Sequence, residues 1–238
     1  MLKSIDLLHN LQFNTSKLCL FHSTSHNLKK RISNEERAKF LLDPFLKQVL
    51  VGNILGDIYL RKFSPKANVR LVFRQSSVNS SYLFHLYNLF QEFVTTPPSV
   101  SEVVDKKTGK SRFNLCFTTL ALPCFNEIYN IFYLDGKKII PNNIAEYLTR
   151  VSLAYWIMDD GSFTGNGLKL HTNAFTLEEL NLLIEALNKN FSIKATINIS
   201  NREKAQYTLY ISKSQLQLII DLVKDHMHED MMYKLNIN

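Results

Sequence analysis

The sequence has few cysteines and no long apolar run. Its three cysteines, Cys19, Cys116 and Cys124, are an odd number at wide spacing, which indicates neither a disulfide framework nor a four-ligand zinc site. No apolar run approaches the roughly 18 to 20 residues that span a bilayer, so we expect a soluble protein without a membrane partner. The length of 238 residues fits one large domain or two small domains in close contact.

Acidic residues are outnumbered by basic residues. The chain has 28 Lys and Arg against 21 Asp and Glu, a formal net charge of +7. A positive net charge favours a polyanionic partner such as nucleic acid, although other surfaces also fit it.

The N-terminal segment is especially poor in acids, because Asp6 is the single acid among the first 34 residues. We interpret residues 1–40 as a basic arm or an organellar transit segment. Cys19, His22 and His26 offer three metal ligands without a fourth, which is more often incidental than a zinc site. The chain is rich in residues with AT-rich codons, a hint of an organellar genome, and we expect the protein in the mitochondrion or another organelle.

Two similar stretches organise the chain. LVGNILGDI occupies residues 50–58 and LAYWIMDDG occupies residues 153–161, so Asp57 and Asp160 lie 103 positions apart (160 − 57). Each stretch precedes an extended segment, a helix, two strands about a turn and a final helix. In the first half these segments are residues 69–77, 82–94, 99–119 and 122–132. In the second half they are residues 168–176, 177–191, 194–212 and 215–226.

This order predicts an α+β fold of two similar halves. Each half has a motif helix, two strands, a helix, two strands and a helix, with an antiparallel sheet that packs its helices on one face and leaves the other face open. We expect the motif helices at residues 45–60 and 152–163. Turn residues at 135–143 mark the connector, so we place the halves at residues 41–140 and 141–238.

The two acids at the motif ends are candidate catalytic residues. Asp57 and Asp160 fall at the carboxyl ends of the predicted helices, where the helix dipole disfavours negative charge by up to about 1 kcal/mol. Gly52 and Gly56 allow the two helices to pack closely and bring the acids together. Two neighbouring carboxylates repel unless a cation lies between them, and such oxygen ligands suit Mg²⁺. The residues alone leave two interpretations open: a divalent-metal site, or solvated acids at helix ends.

At these motifs the sequence resembles the LAGLIDADG homing endonucleases, particularly the single-chain members with two motifs that mitochondrial introns encode. SLAYWIMDDGSF at residues 152–163 matches closely, and KKIIPNNIAEYLT at 137–149 and MMYKL at 231–235 add to the match. The first motif is looser, because Asn53 replaces an apolar residue and Ile58 stands where the motif ends in glycine. The resemblance covers roughly residues 45–235.

The resemblance implies a site-specific endonuclease that cuts double-stranded DNA by metal-dependent phosphodiester hydrolysis and promotes intron mobility. The motif helices would form the interface of a pseudo-twofold pair, and the sheets would face the DNA major groove. Because both motif helices lie in one chain, we expect a monomer. The acids would bind Mg²⁺ or Mn²⁺. The implied metal-binding residues are Asp57, Asp160, Gly56 and Asp159, although Asp159 stands where the motif has a small residue. The implied catalytic residues are Asp57, Asp160, Lys138 and Lys234, the two lysines being the basic residues near the two active sites. Of the two acids in the second motif, Asp160 is the position that matches the metal-binding acid.

Polar residues that alternate with apolar ones on the strand segments are candidates for contacts with DNA. They are Arg70, Arg74, Gln75, Lys169, His171 and Asn173, and on or near the later strands Arg112, Asn198, Asn201, Arg202 and Lys204. Two rival functions fit the same residues: an RNA maturase that binds its own intron and assists splicing, and a nucleic-acid-binding derivative that does not cleave.

Overall fold

The structure is a computed structural model that describes residues 32–105 and 108–237. The chain divides into two compact units, Met1–Glu36 and Arg37–Asn238, and only residues 32–36 of the first unit are described. The predicted arm or transit segment and the Cys19, His22 and His26 group lie outside the described residues. The predicted division at residue 140 stays a prediction, because the second unit includes both halves.

Helices and strands follow the predicted order. The α-helices are α1 (Asn34–Ala38), α2 (Pro44–Leu55), α3 (Ser80–Leu89), α4 (Asn126–Phe132), α5 (Ile144–Tyr147), α6 (Arg150–Asp160), α7 (Leu177–Phe191) and α8 (Leu216–Val223). The strands are β1 (Tyr59–Arg61), β2 (Arg70–Ser76), β3 (Ser99–Val104), β4 (Ser111–Thr118), β5 (Tyr133–Leu134), β6 (Lys137–Lys138), β7 (Gly161–Phe163), β8 (Gly167–Leu170), β9 (Ala195–Asn201) and β10 (Gln206–Ser212). Among the described residues, no helix has the length and apolar character needed to cross a membrane.

The two sheets have the same topology, which confirms the α+β prediction. The strand order is β1-β2-β4-β3 in sheet 1 and β7-β8-β10-β9 in sheet 2, and every pairing is antiparallel. One face of each sheet packs into the core through residues such as Leu71 and Phe73 in sheet 1 and Leu209 and Ile211 in sheet 2. The opposite face carries the polar strand residues, since side chains alternate along a strand.

The motif helices α2 and α6 pack against each other at the centre of the second unit. Asp43 caps α2 by accepting from two backbone N–H groups, and Thr149 and Ser152 form a capping box at the start of α6. A Cβ atom added to Gly52 would come within 2.3 Å of the Ser152 carbonyl oxygen. The glycine therefore allows a backbone contact that no larger residue permits, as the sequence predicts.

The motif helices are shorter than predicted. Helix α2 ends at Leu55, and the apolar residues Ile58 and Leu60, which we assigned to the helix, belong to the turn and to β1. Tyr59 and Arg61 are exposed while Leu60 is buried, the alternation of a strand. Short apolar runs do not distinguish a helix end from a strand, so the extension was wrong. Strand β8 likewise ends at Leu170, where the predicted segment continued to residue 176.

Candidate active site and nucleic-acid interface

Asp57 and Asp160 lie together at the carboxyl ends of the paired motif helices. Asp57 follows α2 by two residues, and Asp160 is the last residue of α6. A Cβ atom on Gly56 would lie 2.4 Å from the Cβ of Asp159, so the two helix ends are in direct contact. The residues that close this contact immediately precede the two acids, and the contact brings the acids to one site.

Asp159 reaches across the helix interface into the first half. Its Oδ2 accepts from Asn53 Nδ2 at 2.9 Å and from the Asp57 backbone N–H at 3.3 Å. Its Oδ1 accepts from the Tyr82 hydroxyl at 2.9 Å and from Gln75 Nε2 at 3.4 Å. All four partners donate, which is the arrangement that an ionised carboxylate requires. The carboxylate is 7% exposed, so these bonds replace its contact with water.

Gln75 joins Asp57 to this network. Its Nε2 donates to Asp57 Oδ2 at 2.8 Å, and the side chain is 7% exposed. We expected Gln75 on one DNA-facing surface with Arg70 and Arg74. Side chains alternate along a strand, and Gln75 is an odd number of positions from each arginine, so it lies on the opposite face of β2. The structure therefore places Gln75 in the acidic site and leaves the two arginines on the open face.

Burial and mutual repulsion set the proton affinities of the acids. Burial, followed by the charges of Asp57 and Asp159, raises the pKa of Asp160 to about 8, against opposing charges from Lys138 and Lys234. Burial and the charge of Asp57 raise the pKa of Asp159 to about 7, although its hydrogen bonds favour the ionised form. In the absence of a metal ion both carboxyls therefore stay protonated to a higher pH than an ordinary aspartate, and a bound cation would offset the repulsion and favour their ionised form.

Both lysines that we expected near the acids are found there. Lys138 Nζ donates to the carbonyl oxygens of Gly56 at 2.9 Å and Ile58 at 3.0 Å. Lys234 Nζ donates to the Asp159 carbonyl at 2.7 Å. Gly56 and Asp159 occupy matching positions of the repeat, so the two lysines make equivalent contacts. Burial lowers the pKa of both lysines, and the nearby aspartates oppose the change.

The site offers oxygen atoms of the kind that bind Mg²⁺ or Mn²⁺. The carboxylates of Asp57 and Asp160 and the carbonyls of Gly56 and Asp159 surround the helix ends, and repulsion between the acids would be relieved by a cation. Within the described residues, no group of three or more His, Cys, Asp or Glu side chains is arranged to hold an ion. The donor set fits a divalent ion whose remaining ligands are water or phosphate oxygens.

The open face of sheet 1 is basic. Register and alternation place Arg61 of β1, Arg70 and Arg74 of β2, and Arg112 of β4 on this face. The other described strand residues on the face are Tyr59, Val72, Ser76, Ser99, Ser101, Val103, Asn114, Cys116 and Thr118, none of them acidic. A face with four guanidinium groups and no carboxylate suits a polyanion.

The open face of sheet 2 is more neutral. Lys169 lies on it opposite Ser162 and Tyr210, and Asn198 lies further along the same face. His171 and Asn173 fall beyond β8, with Asn173 in a turn, and the His171 backbone N–H donates to the Asp160 carbonyl at 3.0 Å. Arg202 and Lys204 lie exposed in the turn between β9 and β10, and Asn201 ends β9. His171 thus borders the acidic site. We assigned His171 and Asn173 to a strand, and neither lies on one, so that assignment was wrong.

A model of the LAGLIDADG DNA endonuclease family matches residues 47–219, the greater part of the chain and all of the site except Lys234. The chain belongs to the LAGLIDADG DNA endonuclease family. The acids at the ends of paired motif helices are therefore the family motif in its folded form, and the resemblance seen in the sequence is confirmed.

Relatives within the LAGLIDADG family carry two kinds of name. Cytochrome b mRNA maturase bI2 of Saccharomyces cerevisiae is 35% identical over 196 residues, which are 79% of this chain and 46% of that protein. The chain thus spans less than half the length of the yeast maturase. Probable intron-encoded endonuclease 1 of Wickerhamomyces canadensis is 31% identical over 217 residues, which are 88% of this chain and 91% of that protein.

Solved LAGLIDADG structures share the fold. The homing endonuclease I-WcaI bound to its DNA recognition sequence is 30% identical, covers 92% of this chain and 97% of its own, and has a TM-score of 0.80. An I-DmoI variant in complex with its target DNA in the presence of Mn is 16% identical, covers 77% of this chain and 98% of its own, and has a TM-score of 0.51. The second likeness concerns the fold alone.

Sequence reasoning missed two members of the site. Asn53 was interpreted as a loosening of the first motif, yet it donates to Asp159, which itself stands where the motif has a small residue. The two departures from the motif, Asn53 and Asp159, thus form one hydrogen-bonded pair. A polar residue at an unusual position in each motif was the signal in the sequence that could have predicted this contact. Tyr82 gave no signal, because its contact with Asp159 depends on how α3 packs against the motif helices.

Proposed function

We propose that this chain is a site-specific endonuclease that hydrolyses one phosphodiester in each strand of double-stranded DNA and so promotes mobility of an intron. The observation that carries the proposal is the meeting of Asp57 and Asp160 at the ends of the paired motif helices. The arginine-rich open face of sheet 1 supports DNA as the substrate.

Asp57 and Asp160 would hold Mg²⁺ or Mn²⁺, which supplies activation of water and stabilisation of the leaving oxygen when bound. Gln75 fixes the Asp57 carboxylate by its 2.8 Å hydrogen bond. The Asp159 carboxylate fixes the backbone of the first acid, because it accepts from the Asp57 backbone N–H. These contacts hold the first acid in one orientation before substrate arrives, which lowers the reorganisation that catalysis needs.

Lys138 and Lys234 would act beside the acids on the two DNA strands. Each ammonium group binds a carbonyl of the residue that precedes one acid, at 2.9 Å and 2.7 Å. In this position each lysine adds positive charge where a scissile phosphate would approach, and it also orients the end of a motif helix. We assign both lysines to phosphate polarisation or water orientation, not to metal binding.

A monomer would suffice for cleavage of both strands, because one chain supplies both acids and both sheets. A mitochondrial location is part of the same proposal, supported by the composition of the chain and by a relative named for cytochrome b mRNA.

The second candidate function is that of an RNA maturase. It is favoured by the 35% identity to the yeast cytochrome b mRNA maturase bI2. Maturase activity would require the fold and the basic open face of sheet 1 and not the two acids. A chain with Asp57→Asn and Asp160→Asn that still assists splicing of the host intron would therefore separate maturase activity from cleavage.

The proposal is tested with a plasmid that carries the exon junction interrupted by the chain's own intron. We expect Mg²⁺-dependent linearisation at that junction by the purified wild type, and none by the double Asp57→Asn, Asp160→Asn variant or in excess chelator. Binding of the same duplex by the double variant should persist. Specific binding by the wild type without any nicking would contradict the endonuclease and favour the maturase or a pure binder.

A further inference from the structure

Two arginines face each other at the outer end of sheet 1. Arg61 of β1 and Arg70 of β2 are directly opposite in the antiparallel register. Like charges in this position destabilise a strand pair by repulsion. Both guanidinium groups lie on the ring of Phe63, with centroid distances of 4.4 Å for Arg61 and 4.7 Å for Arg70. Phe63 is 60% exposed, so this arrangement lies at the surface.

No acid neutralises this pair in the part of the chain that the structure describes. The ion pair found there joins Lys47 to Glu127 and involves neither arginine. The Nε of Arg70 is buried without a hydrogen-bond partner among the described residues. A guanidinium is always charged and offers five N–H donors, so two permanent charges are held close together without an anion.

Stacking on Phe63 offsets the repulsion within the pair and adds little net stability. Each of the two cation–π contacts at an exposed site is of the same order as the repulsion of two like charges on opposite strands. The stacking does restrict both guanidinium groups. Less side-chain freedom is then lost when a ligand binds, which favours binding of an anion.

The second half has no equivalent of this pair. Ser162 opposite Lys169 in sheet 2 corresponds to Tyr59 opposite Val72 in sheet 1, because both pairs follow the motif acids by two residues. Two positions further along, sheet 1 has Arg61 and Arg70, whereas sheet 2 has Thr164, whose N–H donates to the Gly167 carbonyl at 2.9 Å. A feature confined to one half does not maintain the shared fold.

We propose that Arg61, Phe63 and Arg70 form a phosphate clamp that binds one phosphodiester of the double-stranded DNA backbone and anchors the first half of the protein. The clamp rests on the proposed function, since it assumes the open face of sheet 1 as the DNA surface. Arg61 lies four positions after Asp57, so their Cα atoms are at most about 13 Å apart at roughly 3.3 Å per extended residue, and the clamp lies in the same region of the sheet as the acid. Phe63 acts as a positioning residue, because both guanidinium groups lie against its ring.

The test measures binding of a duplex carrying the cleavage site as the salt concentration is varied. Loss of one phosphate contact makes the negative slope of log K against log salt shallower by about 1. We expect this change for the double variant Arg61→Ala, Arg70→Ala. Affinity should fall about tenfold or more at low salt, because charge-assisted hydrogen bonds are lost. Phe63→Leu should weaken binding less and leave the slope closer to the wild type. Arg150→Ala with Lys189→Ala, at exposed positions of α6 and α7, removes the same number of positive charges and should match the wild type.

A second measurement replaces single backbone phosphates of the first half-site by neutral methylphosphonates. We expect one position at which the wild type loses affinity and the double arginine variant does not. If no position shows this coupling, or if the variant keeps the wild-type salt slope, the clamp is overturned. If the variant loses affinity for the intron RNA and not for the DNA duplex, the DNA clamp is likewise overturned. If the clamp is overturned by any of these results while the wild type still binds and cleaves the duplex, the proposed endonuclease stands.

Discussion

Asp159 occupies the space that a side chain at Gly56 would need. A Cβ on Gly56 would lie 2.4 Å from the Cβ of Asp159 and 2.8 Å from its Oδ2. Gly56 of the first motif thus faces the Asp159 carboxylate, which belongs to the second half and reaches into the first half. The contact links the geometry of the two motif ends, and it makes their packing sensitive to a single methyl group.

Gly56→Ala should destabilise the protein by forcing α2 and α6 apart or displacing Asp159. We expect a loss of about 1 to 3 kcal/mol in the free energy of unfolding, the range for overpacked sites, measured by urea denaturation. Asp159→Gly in the same chain removes the opposing Cβ and should recover part of that loss. Strictly additive effects of the two substitutions would show that the contact is not the cause.

Tyr82→Phe should weaken the network around Asp159. The Tyr82 hydroxyl donates to Asp159 at 2.9 Å and accepts from Asn53 at 3.1 Å, so its loss leaves a buried carboxylate short of a donor. We expect about 1 to 3 kcal/mol of destabilisation by thermal or urea unfolding. Tyr129→Phe is the matched control, since its hydroxyl makes no hydrogen bond within the described residues. Equal stability of the two variants would mean that water replaces the Tyr82 hydroxyl.

The raised pKa of Asp160 makes stability depend on pH. With a pKa of about 8 in the fold against an ordinary value of 3.8, the folded state binds more protons than the unfolded state between these values. Stability in chelator should therefore fall as the pH rises from about 4 to about 8. We expect a loss on the order of 1 kcal/mol or more between about pH 6 and about pH 9.

Asp160→Asn removes this titration and should flatten the decline, leaving the smaller contribution of Asp159. Asp225→Asn, at an exposed position, should keep the wild-type pH dependence. Urea denaturation across the pH range measures both. An Asp160→Asn chain that loses stability as steeply as the wild type would show that the carboxyl is not protonated in the fold.

Lys138→Ala should slow cleavage without preventing DNA binding. The substitution removes a partly buried ammonium group beside the acids and leaves the Gly56 and Ile58 carbonyls without their donor. We expect roughly a hundredfold lower rate in single-turnover cleavage, as for the loss of one electrostatic group at an active site. Lys137→Ala changes the exposed neighbouring lysine and should cut like the wild type. Similar rates for both variants would remove Lys138 from the active site.

Features encoded by local pattern could be predicted from the sequence. The repeat, the helix-end acids and the close approach at Gly52 and Gly56 all follow from spacing within short segments, and the structure has them. Lys138 and Lys234 were found through motif context and not through any physical pattern of their own.

Features that depend on tertiary packing could not be predicted. Gln75 was assigned to the DNA face because its residue type suits base contacts. The alternation of side chains along β2 instead points it toward Asp57. Tyr82 reaches Asp159 from a helix 77 positions away in sequence. The Arg61 and Arg70 pair needed the strand register, because nothing in the sequence says which residues face each other across β1 and β2.

The most direct test of the endonuclease is the time course of a supercoiled plasmid that carries the target junction, with wild type, Asp57→Asn and Asp160→Asn in Mg²⁺. The two acids share one charged site, so we expect each substitution to abolish linearisation while leaving binding of the same DNA intact. Ca²⁺ in place of Mg²⁺ should also prevent cutting, because its longer and looser ligation positions water poorly. If the Asp160→Asn protein linearises the plasmid at the wild-type rate, the catalytic assignment is wrong.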